Sequence, residues 1–565
     1  MENSSIIKAL KLTAALMELH ETEIEKAKAL QAAVFKLDKF SEAILEIPEG
    51  KLAKEGINKW VIEKIQEFIG SGSLAELSEM LEKTPKGVVE MLGIKGIGPK
   101  KVRTIWTELN ITSKKELLEA CNENKVQHLK GFGEKTQQEI KNFLVFAEEQ
   151  KGKFLYAEVE ALAYALEKIL KETFSESLLA LSGEIRRRME IVETIQFIVG
   201  TDNVPEFLDK VNQIAVLEKN EKGSSPFAWR GAEKASGCKV EIKVFTKAAF
   251  HPKLFLNSCD PAHLQQTLSG DFSIGQAVRN TDFDSEEAFY QANGLHYIVP
   301  EMREGLGEVE KARKEAPFKL VREEDLKGIL HNHSTYSDGK HTLQQMAEYC
   351  KSLGYAYLGI SDHSKSAFYA RGLYENRIAE QHLEIDKLNQ ELAPFKIFKG
   401  IESDILNDGS LDYEPEVLAS FDFIVASIHS NLKMPEDKAT ERLLKAIENP
   451  FTTILGHATG RLLLMREGYP INHKKIIDAC VAHEVIIELN ANPRRLDMDW
   501  RWIAYALEKG ALISINPDAH SMKEYHNMHY GVLVGRKAGL SPENTFNAFP
   551  LEKVEAYFQA KKRKN

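Results

Sequence analysis

The chain has few of the features that would set it apart from ordinary soluble proteins. Its cysteines number five in 565 residues (Cys121, Cys238, Cys259, Cys350, Cys480), scattered and without a C-x-x-C pair. That argues against a disulfide framework and a thiolate zinc site, and it suits a reducing cytosol, so the expected location is cytoplasmic. No apolar run approaches the roughly 20 residues that a membrane span needs. The opening MENSSIIKALKLTAALMELHE is amphipathic, contains acids and lacks the order of a secretory leader. Nor is there an excess of positive charge. The formal net charge is −10, so any contact with nucleic acid has to come from local features. What is present, 43% hydrophobic and 28% charged residues, suffices for several domains with cores of their own.

The most informative stretch runs from Lys327 to Gly339, KGILHNHSTYSDG. An apolar approach ends in His331 and His333, and Asp338 follows. Residues two apart on a strand share a face, so the two imidazoles can converge on one ion. A lone His-x-His is weak evidence, but here the pattern recurs. Successive apolar runs end in Asp362-His363, in Glu402-Ser403-Asp404, in His429, in His457 and in Asp518-Ala519-His520, with amphipathic helical stretches between them. Such alternation predicts βα units, in which functional groups collect at the carboxyl ends of the strands. All the candidate ligands are nitrogen or oxygen, which suits Mn²⁺ or Zn²⁺, with iron also compatible.

Residues 1–150 read as helical, with three glycine-containing turns. Gly93-Ile94-Lys95-Gly96-Ile97-Gly98-Pro99-Lys100-Lys101 is the best formed. Lys130-Gly131-Phe132-Gly133-Glu134-Lys135 follows, and a worn version lies at Glu55-Gly56-Ile57-Asn58-Lys59. Glycines let backbone N–H groups approach an oxyanion at a helix start, and adjacent lysines add phosphate attraction without base reading. A tight helix–helix turn is the competing reading of any single one.

These turns resemble helix-hairpin-helix motifs, arranged as in the amino-terminal half of family X DNA polymerases. Gly56 to Leu77 resembles that family's small 5′-phosphate-binding domain, and Lys64 falls where some members carry a Schiff-base lysine. An ordinary helix lysine is the alternative there. Ser182-Gly183-Glu184-Ile185-Arg186-Arg187-Arg188, followed by Val192 to Val199, resembles the family X palm. Matched position by position, however, the two metal-binding acids are Thr194 and Gln196, the third survives as Glu241, and a serine that helps bind the triphosphate is Glu184. One carboxylate of three cannot hold two divalent ions and a triphosphate, so the palm is expected to fold without polymerising.

The carboxy-terminal set resembles the polymerase-and-histidinol-phosphatase (PHP) family in its form fused to bacterial family X polymerases. The resemblance implies three metal ions. His331, His333, Glu402 and Asp518 would hold one; Glu402, His429 and His457 a second; Asp338, His363 and His520 the third. Arg461, Lys365 and Asn490 are candidates for contacting the substrate phosphate, with Asn492 and Arg494 beside them.

The expected fold is multidomain: helix-hairpin-helix segments over 1–80 and 81–150, a degenerate α+β nucleotidyltransferase palm over 151–250, a thumb and linker over 251–320, and an α/β PHP domain, a distorted βα-barrel, over 321–565. The expected function is DNA repair by metal-dependent 3′-5′ exonuclease action, with abasic-site cleavage or 3′-end trimming as variants. The expected partner is gapped or recessed-3′ DNA, gripped through backbone phosphates by Gly96, Gly98, Lys100, Lys101, Gly131, Gly133 and Lys135; the chain is expected to be a monomer. A non-catalytic DNA-end scaffold, a small-molecule phosphatase and a working gap-filling polymerase are the alternatives.

Overall fold

The computed structural model describes residues 3–38, 40, 42–269, 272–314 and 317–563; the last two residues of the basic ending KKRKN lie outside this range. The chain divides into two compact units, Met1–Lys151 and Gly152–Asn565. No helix among the described residues is long and apolar enough to cross a membrane.

The first unit is helical. Its leading helix, Asn3–Leu19, serves two cores. Ile6, Leu10 and Met17 pack with Leu30, Val61 and Ile65, whereas Leu16 and Leu19 join Val88, Ile97, Ile105, Val126 and Ile140. The segments expected as separate domains therefore share one helix. The second core holds the helix-hairpin-helix pair in place through Ile94, Ile97 and Leu129, which leaves the turn glycines at the surface.

The second unit begins with a five-stranded sheet in the order Leu178–Ser182, Thr194–Gly200, Lys239–Phe245, Ala228–Glu233, Leu217–Lys219. Alternation along Thr194–Gly200 puts Ile195, Phe197 and Val199 into the core and Thr194 and Gln196 on the other face. The register sets Gln196 opposite Glu241.

Beyond it, seven parallel strands run in chain order: Gly328–Ile329, Tyr357–Ile360, Lys396–Asp404, Phe423–Ser427, Ile454–Leu455, Ile486–Asn490 and Ile513–Asn516. The wall nearly closes on itself, because Asn332, after the first strand, bridges to Ala519, after the last. These strands are buried along their length, as expected where helices cover a parallel sheet.

The charged connection from Gly307 to Asp325 is structured where it is described. Helix Glu308–Lys314 places Val309 and Ala312 in the preceding core, and buried Glu308 meets His263 at 2.5 Å. Val321 and Leu326 already belong to the core of the seven-stranded domain. Palm and barrel are also joined directly: Glu190 accepts from Trp500 Nε1 (3.0 Å) and from Arg501 (2.8 Å).

Candidate active site

At the carboxyl ends of the barrel strands lies one carboxylate, Glu402, with no solvent exposure. Five imidazoles surround it. His363 Nδ1 lies 2.8 Å away, His457 Nε2 3.0 Å, His331 Nε2 and His429 Nε2 3.3 Å each, and His333 Nε2 3.6 Å. Asp518 Oδ1 stands 3.2 Å from His333 Nε2 and 3.6 Å from His331 Nε2. Asp338 Oδ1 closes the open side, 3.4 Å from His520 and 3.6 Å from His363. The nine positions singled out in the sequence thus meet in one place.

Three groups bring donor atoms close enough to share an ion: His333, Asp338, His363 and His520; His331, His333 and Asp518; and His363, Glu402 and His429. The grouping differs from the sequence expectation in each set: Glu402 is absent from the one with His331 and Asp518, and His333 joins Asp338, His363 and His520. His363 stands with Glu402 and His429, while His457 hydrogen-bonds Glu402 from outside that set.

Satisfaction of polar atoms tests whether a cation suits this pocket. His331 Nε2, His333 Nδ1, His363 Nδ1, His457 Nδ1 and Glu402 Oε2 are buried without a well-aligned hydrogen bond, His363 Nδ1 and Glu402 Oε2 facing each other at 2.8 Å. Such orphaned atoms are costly inside a protein, and clustered donors of nitrogen and oxygen are what a divalent ion would satisfy. The residues fit a metal.

The electrostatics agree. Burial opposes charge on Glu402, but His429, His331 and His363 hold it well below the usual carboxylate range. Burial likewise opposes charge on His429, yet Glu402 and Asp404 lift it to about 10; His520, lifted by Asp338 and Asp518, lies at about 9. Burial, with His520 and His363 alongside, pushes His333 down to about 3. Metal capture here would therefore release protons.

Further residues orient this set. Glu488 accepts from His331 Nδ1 at 2.6 Å and Asp404 from His429 Nδ1 at 2.5 Å, turning both Nε2 atoms inward. Strand alternation was the available signal for Asp404, which shares a face with Glu402. Asn490 donates to Glu488 (2.9 Å) and Asp518 (3.2 Å), so it positions other carboxylates. Lys365 is paired with Glu375 at 2.8 Å. Asn492 accepts from the Arg494 amide, and the Arg494 side chain reaches Met465 Sδ.

Arg461 is committed elsewhere: Nη1 pairs with Asp499 at 2.5 Å, Nε donates to Arg495 O, and Nη2 to Leu496 O. The arginine at the site is Arg495, whose Nε lies 3.3 Å from Asp518 Oδ2. The sequence reading missed it; its only signal was its place in a loop after Asn490.

The palm-like cleft is built differently. Gln196 Nε2 donates to Glu241 at 2.7 Å, Arg230 Nε pairs with the same carboxylate at 2.7 Å, and Lys243 lies 3.3 Å away. Despite burial, these partners keep Glu241 below the usual range. Glu184 accepts from the amides of Glu193 (2.7 Å) and Thr194 (3.3 Å), fixing the start of their strand. Arg186 makes a bidentate pair with Glu286 (2.7 and 2.8 Å), Arg187 Nη1 reaches both oxygens of Glu304 (2.8 Å each), and Arg188 bonds Tyr156 and Tyr164. Each of these charged groups has an internal partner.

In the helical unit, a Cβ at Gly96, Gly98, Gly131 or Gly133 would meet nothing within 4 Å. Gly96 and Gly131 have positive φ (93° and 82°). Gly98 and Gly133 do not need theirs for packing or for φ; they keep the surface bare at the starts of helices Pro99–Leu109 and Glu134–Glu149. Lys100 and Lys135 are exposed, and Lys101 lies over the Phe132 ring at 5.3 Å, which draws the two turns together. The worn turn differs, since Lys36 bonds its carbonyls at Glu55 and Gly56. Lys64 is paired with Glu67 (2.7 Å) and Glu76 (2.6 Å), which outweigh burial and raise its pKa. Imine formation needs the opposite.

Comparison with known proteins agrees with this division. Residues 330–492 match the PHP domain family, and residues 88–144 match the SAM-like helix-hairpin-helix tandem. The chain is 33% identical to the DNA polymerase/3′-5′ exonuclease PolX of Bacillus subtilis over 99% of its own length and 100% of that protein's. It is 26% identical to a probable phosphatase of a Thermoanaerobacter species over 38% of its own length and 93% of that protein's, and 30% identical to one of Vibrio atlanticus over 35% and 79%.

Proposed function

This chain belongs to the PolX family of DNA polymerase/3′-5′ exonucleases, and from that premise we propose that its hydrolytic domain works while its polymerase cleft is silent. The observation that carries the proposal is Glu402, buried among five imidazoles with orphaned donor atoms around it. The palm offers no equivalent, because Glu241 is already neutralised by Arg230 and Lys243.

His331, His333, Glu402 and Asp518 would hold one ion, Glu402, His429 and His457 a second, and Asp338, His363 and His520 a third, as Mn²⁺ or Zn²⁺, with iron also suited. Divalent ions there supply water activation and neutralise the oxygens of a phosphodiester. The protein's own groups do the rest. Glu488 and Asp404 fix the tautomers of His331 and His429. Asn490 steadies Asp518. Arg495, the arginine beside the ligands, takes a substrate phosphate oxygen, the role that Arg461 cannot fill. The hairpin turns grip the backbone of gapped or recessed-3′ DNA, which sets position without reading sequence. The protein acts as a monomer.

A gapped duplex labelled at the primer 5′ end, incubated with Mn²⁺ with and without deoxynucleotides, tests this. The expected result is a ladder of shorter products, indifferent to nucleotides and abolished by chelator. Extension products would overturn the silent-palm reading.

A further inference from the structure

The segment from Ser364 to Leu373 is a loop pinned along both legs to the metal-binding region. Leu373 N donates to His363 O at 2.8 Å, and Ser364 pairs with Leu373. A Cβ at Gly372 would meet Ser364 O at 1.8 Å, so the closure depends on glycine. Ser366 Oγ donates to Asp404 Oδ2 at 2.8 Å, the carboxylate that holds His429, and Ser366 N to Asp412 at 2.6 Å. Arg371, at φ 57°, bonds the carbonyl of Ser337, next to Asp338.

This fastened loop presents two aromatic rings to solvent. Phe368 is 81% exposed, more than any other large hydrophobic residue among those described, and Tyr369 is 64% exposed. Their rings stand edge to face at 6.0 Å. Tyr369 lies between Ser366, bonded to Asp404, and Arg371, bonded to the carbonyl next to Asp338, so the tip is held beside the metal pocket. The tip, Lys365 to Arg371, contains no acid to repel a phosphate chain; of its two cations, Lys365 is paired with Glu375, just beyond it. Neither ring belongs to the cores of the barrel domain.

We propose that Phe368 and Tyr369 form a stacking platform for the unpaired 3′-terminal base of the DNA strand being shortened. The inference rests on the exonuclease reading above. Cleaving the last phosphodiester requires the terminal nucleotide to leave its partner strand, and the freed base then lies beside the scissile phosphate. Aromatic faces stabilise such a base whatever its identity, because every base has a π-face.

The test compares two 3′ ends, one with an ordinary terminal base and one whose terminal nucleotide is abasic, on wild-type protein and on Phe368→Ala with Tyr369→Ala. Wild type should lose about 5- to 100-fold in kcat/KM when the base is deleted. The double variant should show that loss on ordinary DNA and no further loss on the abasic end, because removing ring and base removes one interaction. Phe368→Trp with Tyr369→Trp should keep the dependence on the base, which guards against a folding defect. If the alanine variant still feels base deletion by the wild-type factor, the platform is wrong and the exonuclease reading stands. If wild type shortens neither DNA, the exonuclease reading fails and the platform with it.

Discussion

The second unit contains two clefts that meet phosphate chemistry in opposite ways. In the palm, Glu241 is neutralised by Arg230 and Lys243 and bonded by Gln196, and Arg186 and Arg187 pair with Glu286 and Glu304. In the barrel, Glu402 and its histidines leave buried atoms without a well-aligned hydrogen bond. A cleft whose central carboxylate is satisfied internally has little left to offer an ion. A cleft with clustered orphan donors is poised for one. Internal satisfaction, more than the number of acids, separates the two.

The largest test of this contrast is removal of the central carboxylate. Glu402→Ala should lower DNA hydrolysis by on the order of a thousandfold while DNA binding persists in a gel-shift assay. His331→Ala with His333→Ala should do the same; hydrolysis at the wild-type rate in either would break the comparison. Next is orientation: Glu488→Gln leaves a similar shape but loses the carboxylate behind His331, and Mn²⁺ affinity by calorimetry should fall about 10- to 100-fold. An undiminished affinity would mean that the pocket does not use His331.

The two arginines sharpen the comparison further. Arg495→Ala should cost about 10- to 100-fold in kcat/KM on DNA. Arg461→Ala should instead lower the melting temperature by a few degrees, because it removes one of the two arginines paired with Asp499 and the donors to the Arg495 and Leu496 carbonyls. Reversed outcomes would return the phosphate contact to Arg461. A smaller effect belongs to the hairpins. Lys100→Glu with Lys101→Glu should weaken DNA binding and reduce its salt slope by about two, read from binding at several salt concentrations. Smallest of all, Thr194→Asp with Gln196→Asp should yield no primer extension, since Glu184 and the paired arginines remain as they are.

Much of this was legible in the sequence because strand periodicity is local. Ligands at the ends of apolar runs had to arrive at one rim of a βα-barrel, and Thr194 and Gln196 had to share a face. What stayed hidden depends on partners distant in sequence. Asp499 captures Arg461, Glu76 captures Lys64, and Glu375 captures Lys365; no spacing rule announces any of these. Arg461 and Arg495 are alike as residues, and only the folded loops decide which one faces Asp518. The connection from Gly307 read as a linker by its charge, yet Glu308 is buried because His263 lies against it.

The ion pairs between palm and thumb also have a mechanical consequence. Arg186 and Arg187 of the palm pair with Glu286 and Glu304 of the thumb, where wholly buried Arg303 holds Glu286 from the other side (2.9 and 3.0 Å), and Lys537 reaches from the barrel into the same wall at Glu301 O and Glu304. Swinging the thumb away would strand such charges in apolar surroundings, at about 3–5 kcal/mol for each broken pair. Palm, thumb and barrel are in this way riveted into one bracket, which keeps its shape because loosening any corner would leave a charge without its partner.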